Sequence, residues 1–171
     1  LLSKFLRVAD GPDAIFQLVV LGALSAGFIP VFVGLVEKKG DHWRVASSIL
    51  NILLLILVIL SGVFIIFMPA LQSMIAPGFS EQKFQTTVRL ARIMALSPIF
   101  LGISAVFSGI LQSYRRFVVY ALAPLFYNFG IIAGAIFLTP YFGIKGLGLG
   151  VILGAVLHMA IQWPAARAVG F

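Results

Sequence analysis

Residues 14–36 carry no charged side chain, and at roughly 1.5 Å of rise per residue a helix of that length crosses a bilayer core of about 30 Å. Within it the run QLVVLGALSAGFIPVF, residues 17–32, sets Gly22, Gly27 and Pro30 among aliphatic residues, and Gly34 follows. A soluble core helix would be weakened by so many breakers. A membrane helix tolerates them, because small residues let neighbours approach and the carbonyl freed by a proline finds a partner or becomes a hinge. The expectation is a transmembrane helix in which Gly22, Gly27 and Pro30 serve packing and bending.

Composition points the same way. The chain of 171 residues is 61% hydrophobic and 10% charged, with a mean hydropathy of +1.13, far from the balance of soluble domains. Its net charge of +7 comes from basic residues scattered between apolar runs, with no single patch or arm, so no nucleic-acid partner is expected. Cysteine is absent, which removes disulfides and thiolate metal sites. Residue 1 is Leu and no cleavable leader pattern opens the chain, so a piece of a longer polytopic protein is expected.

Further apolar runs predict four more spans, near residues 45–67, 84–114, 117–138 and 143–164. The second should end at Met68 and Pro69, since the residue before proline is pushed out of helical geometry. Ala76, Pro77 and Gly78 signal a turn, and Ser80 with Glu81 a helix start. The third is long and should kink at Pro98. A turn is expected at Thr139 and Pro140 and the last helix should end near Pro164. The fold class is therefore an all-α, polytopic membrane helix bundle of about five spans in one membrane domain. A plain count of charges does not orient it, but with Arg89 and Arg92 placed within the protein and not in a loop the balance becomes six against four and puts the Lys38 loop inside the cell. Lys38, Lys39, Arg44, Arg115, Arg116 and Arg167 on one side balance Lys4, Arg7, Lys83, Arg89, Arg92 and Lys145 on the other.

Polar residues inside the spans are the candidates for function. Ser97, Ser104, Ser108 and Arg115 fall within about 20° of one line on the third helix, with Gln112 beside it. Such a stripe faces protein or water, either as the wall of a hydrophilic cavity or as hydroxyls bonded to their own or a neighbouring helix. Gly146, Gly150 and Gly154 repeat every four residues and Gly130 and Gly134 do the same on the preceding helix, a signal for close helix contact. His158 and Gln162 continue the first of these lines. The histidine reads as a proton relay or a hydrogen-bonded packing residue, and the absence of an acidic residue in the spans favours packing. Arg89 and Arg92 are candidate contacts for a phosphate-bearing headgroup, with snorkelling to the interface as the plainer reading. No HExxH, GxSxG, Walker A or dinucleotide fingerprint occurs, so no catalytic residue, metal site or cofactor is expected.

The runs LGALSAGFIPVF (21–32), APGFS (76–80), SPIFLGISAVFSGILQSYRRF (97–117), ALAPLFYNFGII (121–132) and GIKGLGLGVILGAVLHMAIQWP (143–164) together resemble the MurJ, or MviN, family of lipid II flippases, in the MOP exporter superfamily. The resemblance implies a MATE-like, two-lobe transporter working by alternating access, of which this chain is similar to the second to sixth helices, most of the N-terminal lobe. It implies a multi-pass protein of the bacterial cytoplasmic membrane, with the Lys38 loop inside and the APGFS loop outside. The implied substrate is the undecaprenyl-pyrophosphate-linked peptidoglycan precursor, moved for cell-wall synthesis, with membrane lipids and the rest of the same chain as partners and ion or membrane-potential coupling in place of a cofactor. Under it, Gln17, Ser25, Ser104, Ser108 and Asn128 are candidate cavity residues, and Gly22, Gly27, Pro30, Pro98, Gly150 and Gly154 hinge or packing residues. Gln17 and Leu21 depart from the arginine and acidic residue of the enterobacterial branch, which removes a charge-assisted bond. Two other readings are an exporter of drugs or polysaccharide-linked lipids from the same superfamily, and a membrane scaffold that transports nothing.

Overall fold

A computed structural model of the chain describes residues 29–37, 41–75 and 78–171. Apart from short turns these are helical, with no strand among the described residues. The helices are α1 (Ile29–Glu37), α2 (His42–Ile75), α3 (Glu81–Met94), α4 (Ser97–Ser113), α5 (Phe117–Ala133), a π-helical segment Gly134–Leu138, α6 (Thr139–Phe142) and α7 (Lys145–Ala168). Four stretches among the described residues are long and apolar enough to cross a membrane: His42–Ile75, Glu81–Ser113, Phe117–Phe142 and Lys145–Ala168. The span expected at 14–36 lies mostly outside the described residues, and α1 is its last part.

Beside an apolar core that includes Phe32, Leu57, Phe107 and Ile110, many large apolar side chains face outward while several polar ones are buried. Leu55, Ile66, Val118, Phe129 and Phe137 are exposed, while Ser61, Gln72, Ser97, Ser104, Ser108 and Gln162 are buried. Where the surrounding medium is hydrocarbon, apolar groups gain nothing by burial and polar groups must find partners within the protein. The sequence reading of a polytopic helix bundle stands.

Three expected helix ends are displaced. α2 does not stop at Pro69 but runs on to Ile75; α7 passes through Pro164 to Ala168; and the chain after α5 turns at Gly143, with φ of 58°, beyond Thr139 and Pro140. Proline removes one backbone donor and crowds the carbonyl four residues earlier. In lipid, ending a helix would strand several backbone groups where continuing strands one, so the helix continues.

Two of the orphaned carbonyls are met by side chains. Pro98 leaves the carbonyl of Met94 without its amide, and the Ser97 hydroxyl donates to it at 2.8 Å. The helix breaks just upstream, at Ala95 and Leu96, so the predicted kink is a joint between α3 and α4 with Pro98 in the first turn of α4. Pro69 likewise leaves the carbonyl of Ile65, and Arg92 reaches across from α3 to donate Nε–H at 2.9 Å.

Packing is tightest between α5 and α7. A Cβ placed on Gly130 would run into the backbone of Gly154, and one on Gly134 into that of Gly150. The two glycine rows therefore bring the backbones into direct van der Waals contact, the geometry their spacing predicts. At one end of the bundle a group of rings joins α1, α2, α4 and the tail after α7. Trp43 stacks on Tyr114 at 5.9 Å and 9°, and packs against Phe32 and Phe171, each at 5.9 Å. Phe107 meets Phe171 at 5.7 Å and Trp163 at 5.4 Å.

Candidate functional site: a polar seam between α4 and α7

Ser104 and Ser108 sit one turn apart on α4, and His158 and Gln162 one turn apart on α7. Matched i, i+4 spacing puts each pair on one face, so the two pairs can meet along antiparallel or parallel helices alike. They do meet. Ser104 Oγ lies 2.6 Å from His158 Nδ1, and Gln162 Nε2 donates to the same hydroxyl oxygen at 2.6 Å. Ser108 donates to Gln162 Oε1 at 2.7 Å, and Gln162 Nε2 also reaches the His158 carbonyl at 3.2 Å. Ser104 and Gln162 are fully buried and Ser108 nearly so. Tyr127 of α5 sets its ring edge-on to His158, with centroids 6.3 Å apart. The seam thus links buried polar side chains of two helices, and Tyr127 of α5 closes one side of it.

The serine stripe therefore divides. Ser97 bonds back to its own helix, Ser104 and Ser108 bond across the seam, and Arg115 is exposed beyond the end of α4. Among the described residues the hydroxyls of Ser104 and Ser108 are engaged by α7. Asn128 is different: it is exposed on α5 between the exposed Phe126 and Phe129. Arg89 and Arg92 are exposed on α3, and Arg92 spends Nε on the Ile65 carbonyl. Pro30 is exposed at the second position of α1, and Gly150 and Gly154 form the α5 contact. Gln17, Ser25, Gly22 and Gly27 lie outside the described residues.

The cross-helix pairing was not visible from either helix by itself. The signal that could have found it is the repeat of the same four-residue spacing of polar residues on two spans. Gln72 was missed altogether; it is buried on α2 with no hydrogen-bond partner for Oε1 among the described residues. No three His, Cys, Asp or Glu side chains converge on a common point among the described residues.

The family model described as lipid II flippase MurJ matches residues 2–171. The chain belongs to the MurJ family. It is 32% identical over 170 residues to a probable lipid II flippase MurJ of Rhizobium tropici, covering 93% of this chain and 32% of that protein. It is 29% identical over 164 residues to a lipid II flippase MurJ of Burkholderia cenocepacia, covering 92% of this chain and 32% of the relative. A probable lipid II flippase MurJ of Rickettsia prowazekii is 29% identical over 161 residues, with 91% and 32% covered. The chain spans about a third of the length of these curated MurJ relatives, and with four candidate membrane spans among the described residues it is a multi-pass membrane protein.

Proposed function

We propose that this chain forms part of one lobe of a lipid II flippase, which moves a polyprenyl-pyrophosphate-linked cell-wall precursor across the bacterial cytoplasmic membrane by transport and not by catalysis. The observation that supports this reading most is the match of the MurJ family model over nearly the whole chain. The outward-facing apolar side chains and the buried seam agree with a helix bundle that carries polar groups through lipid. In this reading α4, α5 and α7 behave as one block. Ser104 and Ser108 hold that block together, and Asn128, a polar side chain exposed at mid-span, faces the substrate passage or the rest of the transporter. Gln17 and Ser25 are assigned to the same passage by resemblance to the family.

The test is complementation. The full-length gene should restore growth to cells depleted of their own lipid II flippase, and depleted cells should accumulate the lipid-linked precursor and lyse. Failure to complement at normal expression, with altered drug sensitivity and an intact wall, would favour an exporter of another substrate.

A further inference from the structure

We infer that His158 is a proton-binding site inside a membrane span, with the Ser104 hydroxyl as the group that lets it gain and lose a proton without breaking the seam. The seam fixes where each hydrogen can go. Ser108 donates to Gln162 Oε1, so the amide turns Nε2 the other way, where it donates to Ser104 Oγ at 2.6 Å and to the His158 carbonyl at 3.2 Å. One hydrogen is left to place, that of Ser104. It has two acceptors, His158 Nδ1 at 2.6 Å and the His158 carbonyl at 3.2 Å.

The two acceptors answer two forms of the imidazole. With Ser104 donating to Nδ1, the neutral ring carries its hydrogen on Nε2. With Ser104 turned to the carbonyl, its oxygen accepts from Nδ1–H as well as from Gln162, and the ring's lone pair lies on Nε2. A proton added to that lone pair gives the imidazolium, which keeps Nδ1–H on Ser104; loss of the proton reverses the step. Nδ1 points into the seam, where Ser104 and Gln162 are fully buried, whereas the ring itself is half-buried and Nε2 has no hydrogen bond among the described residues. Nε2 is therefore the end from which a proton arrives. The groups around the ring are Ser104 and Ser108 of α4, Gln162 of α7 and the Tyr127 ring of α5, and α3 adds Leu90 and Met94 to the apolar group that Tyr127 joins. The Tyr127 phenol is the one titratable group among them and none is charged, so no carboxylate holds the imidazole charged in advance. The charged ring needs an acceptor at Nε2, from water or from an oxygen of the cargo. Proton uptake and the arrival of such an oxygen then favour each other. That coupling rests on the flippase reading; the binding of the proton does not.

The titration can be read directly. In isotope-labelled full-length protein in nanodiscs, solid-state NMR reports the protonation of each imidazole, with His158 assigned through Leu157 and Met159. Its ring nitrogens should pass from the neutral to the charged pattern between about pH 8 and about pH 5. Ser104→Ala, which removes the hydroxyl that answers both forms, should move the midpoint by about one pH unit or more, tenfold in proton affinity. Ser104→Thr, which keeps a hydroxyl, should leave it in place. A ring that stays neutral at every pH at which the protein is folded, or a midpoint unmoved in Ser104→Ala, overturns the site; should Ser104→Ala not fold, the titration of the parent and of Ser104→Thr decides. The coupling has its own readout. The pH profile of precursor transport in proteoliposomes should follow the NMR midpoint, in the parent and in Ser104→Ala alike, and a profile indifferent to that midpoint overturns the coupling. Absence of transport at every pH beside an intact titration counts against the flippase reading and for a proton site that stands without it.

Discussion

At the scale of single residues, Ser104 and Gln72 are contrasting buried polar groups, one with partners and one whose Oε1 has none among the described residues. Ser104 stands at the middle of the seam, accepting from Gln162 and contacting His158. Ser104→Ala should destabilise the protein by about 1 kcal/mol, and its coupling to Gln162→Leu in a double-mutant cycle should be about 0.5–1.5 kcal/mol, read from the unfolding free energy in detergent or bicelles. Additivity of the two changes would show that the seam contributes nothing as a unit. Gln72 predicts the opposite sign. Its Oε1 is buried without a partner among the described residues, so Gln72→Met should be neutral or stabilising by up to about 1 kcal/mol. A clear loss would mean that the amide meets a group outside the described residues. Residue type and spacing put Ser104, Ser108, His158 and Gln162 on polar faces, but which face meets which depends on how helices distant in sequence lie together. For Gln72 nothing in the apolar run around it gave a clue.

At the scale of helices, the glycine rows of α5 and α7 were legible from spacing alone, because close backbone approach has few other solutions. Gly154→Val should therefore force α5 and α7 apart and cost about 2 kcal/mol or more, seen as a lowered yield of folded protein and a lower melting temperature. Gly62 in α2 has nothing within 4 Å of where a Cβ would sit. Gly62→Ala should be tolerated and serves as the control: a loss as large as that at Gly154 would remove the contact argument. The helix ends were less legible. The expectation that Pro69 and Pro164 terminate helices comes from water, where freed carbonyls are solvated. In the structure the Ile65 carbonyl is met by Arg92 instead, and a donor from another helix leaves no trace in the local sequence. The joint at Ala95 and Leu96 was better anticipated, since Pro98 and the hydroxyl that answers it, Ser97, are adjacent in the chain.

At the scale of the whole molecule, the class of fold followed from composition and the uncharged runs, and the family from ordered segments that no single helix would have identified. A plain count of charges did not give orientation, because basic residues divide evenly between the two sides. Asn128 belongs to this scale, since its exposure has meaning only beside what the rest of the transporter places against α5. Asn128→Leu in the full-length protein should keep normal expression and impair rescue of a flippase-depleted strain; unimpaired growth would remove it from the passage. The ring group around Trp43 has a practical consequence. The chain has only two tryptophans, Trp43 stacked on Tyr114 and Trp163 exposed with Arg167 above its ring at 5.2 Å. Replacing Trp163 with Phe would leave Trp43 as this segment's single indole, an optical gauge of its own whose emission should redden whenever the ends of α1, α2 and α4 part.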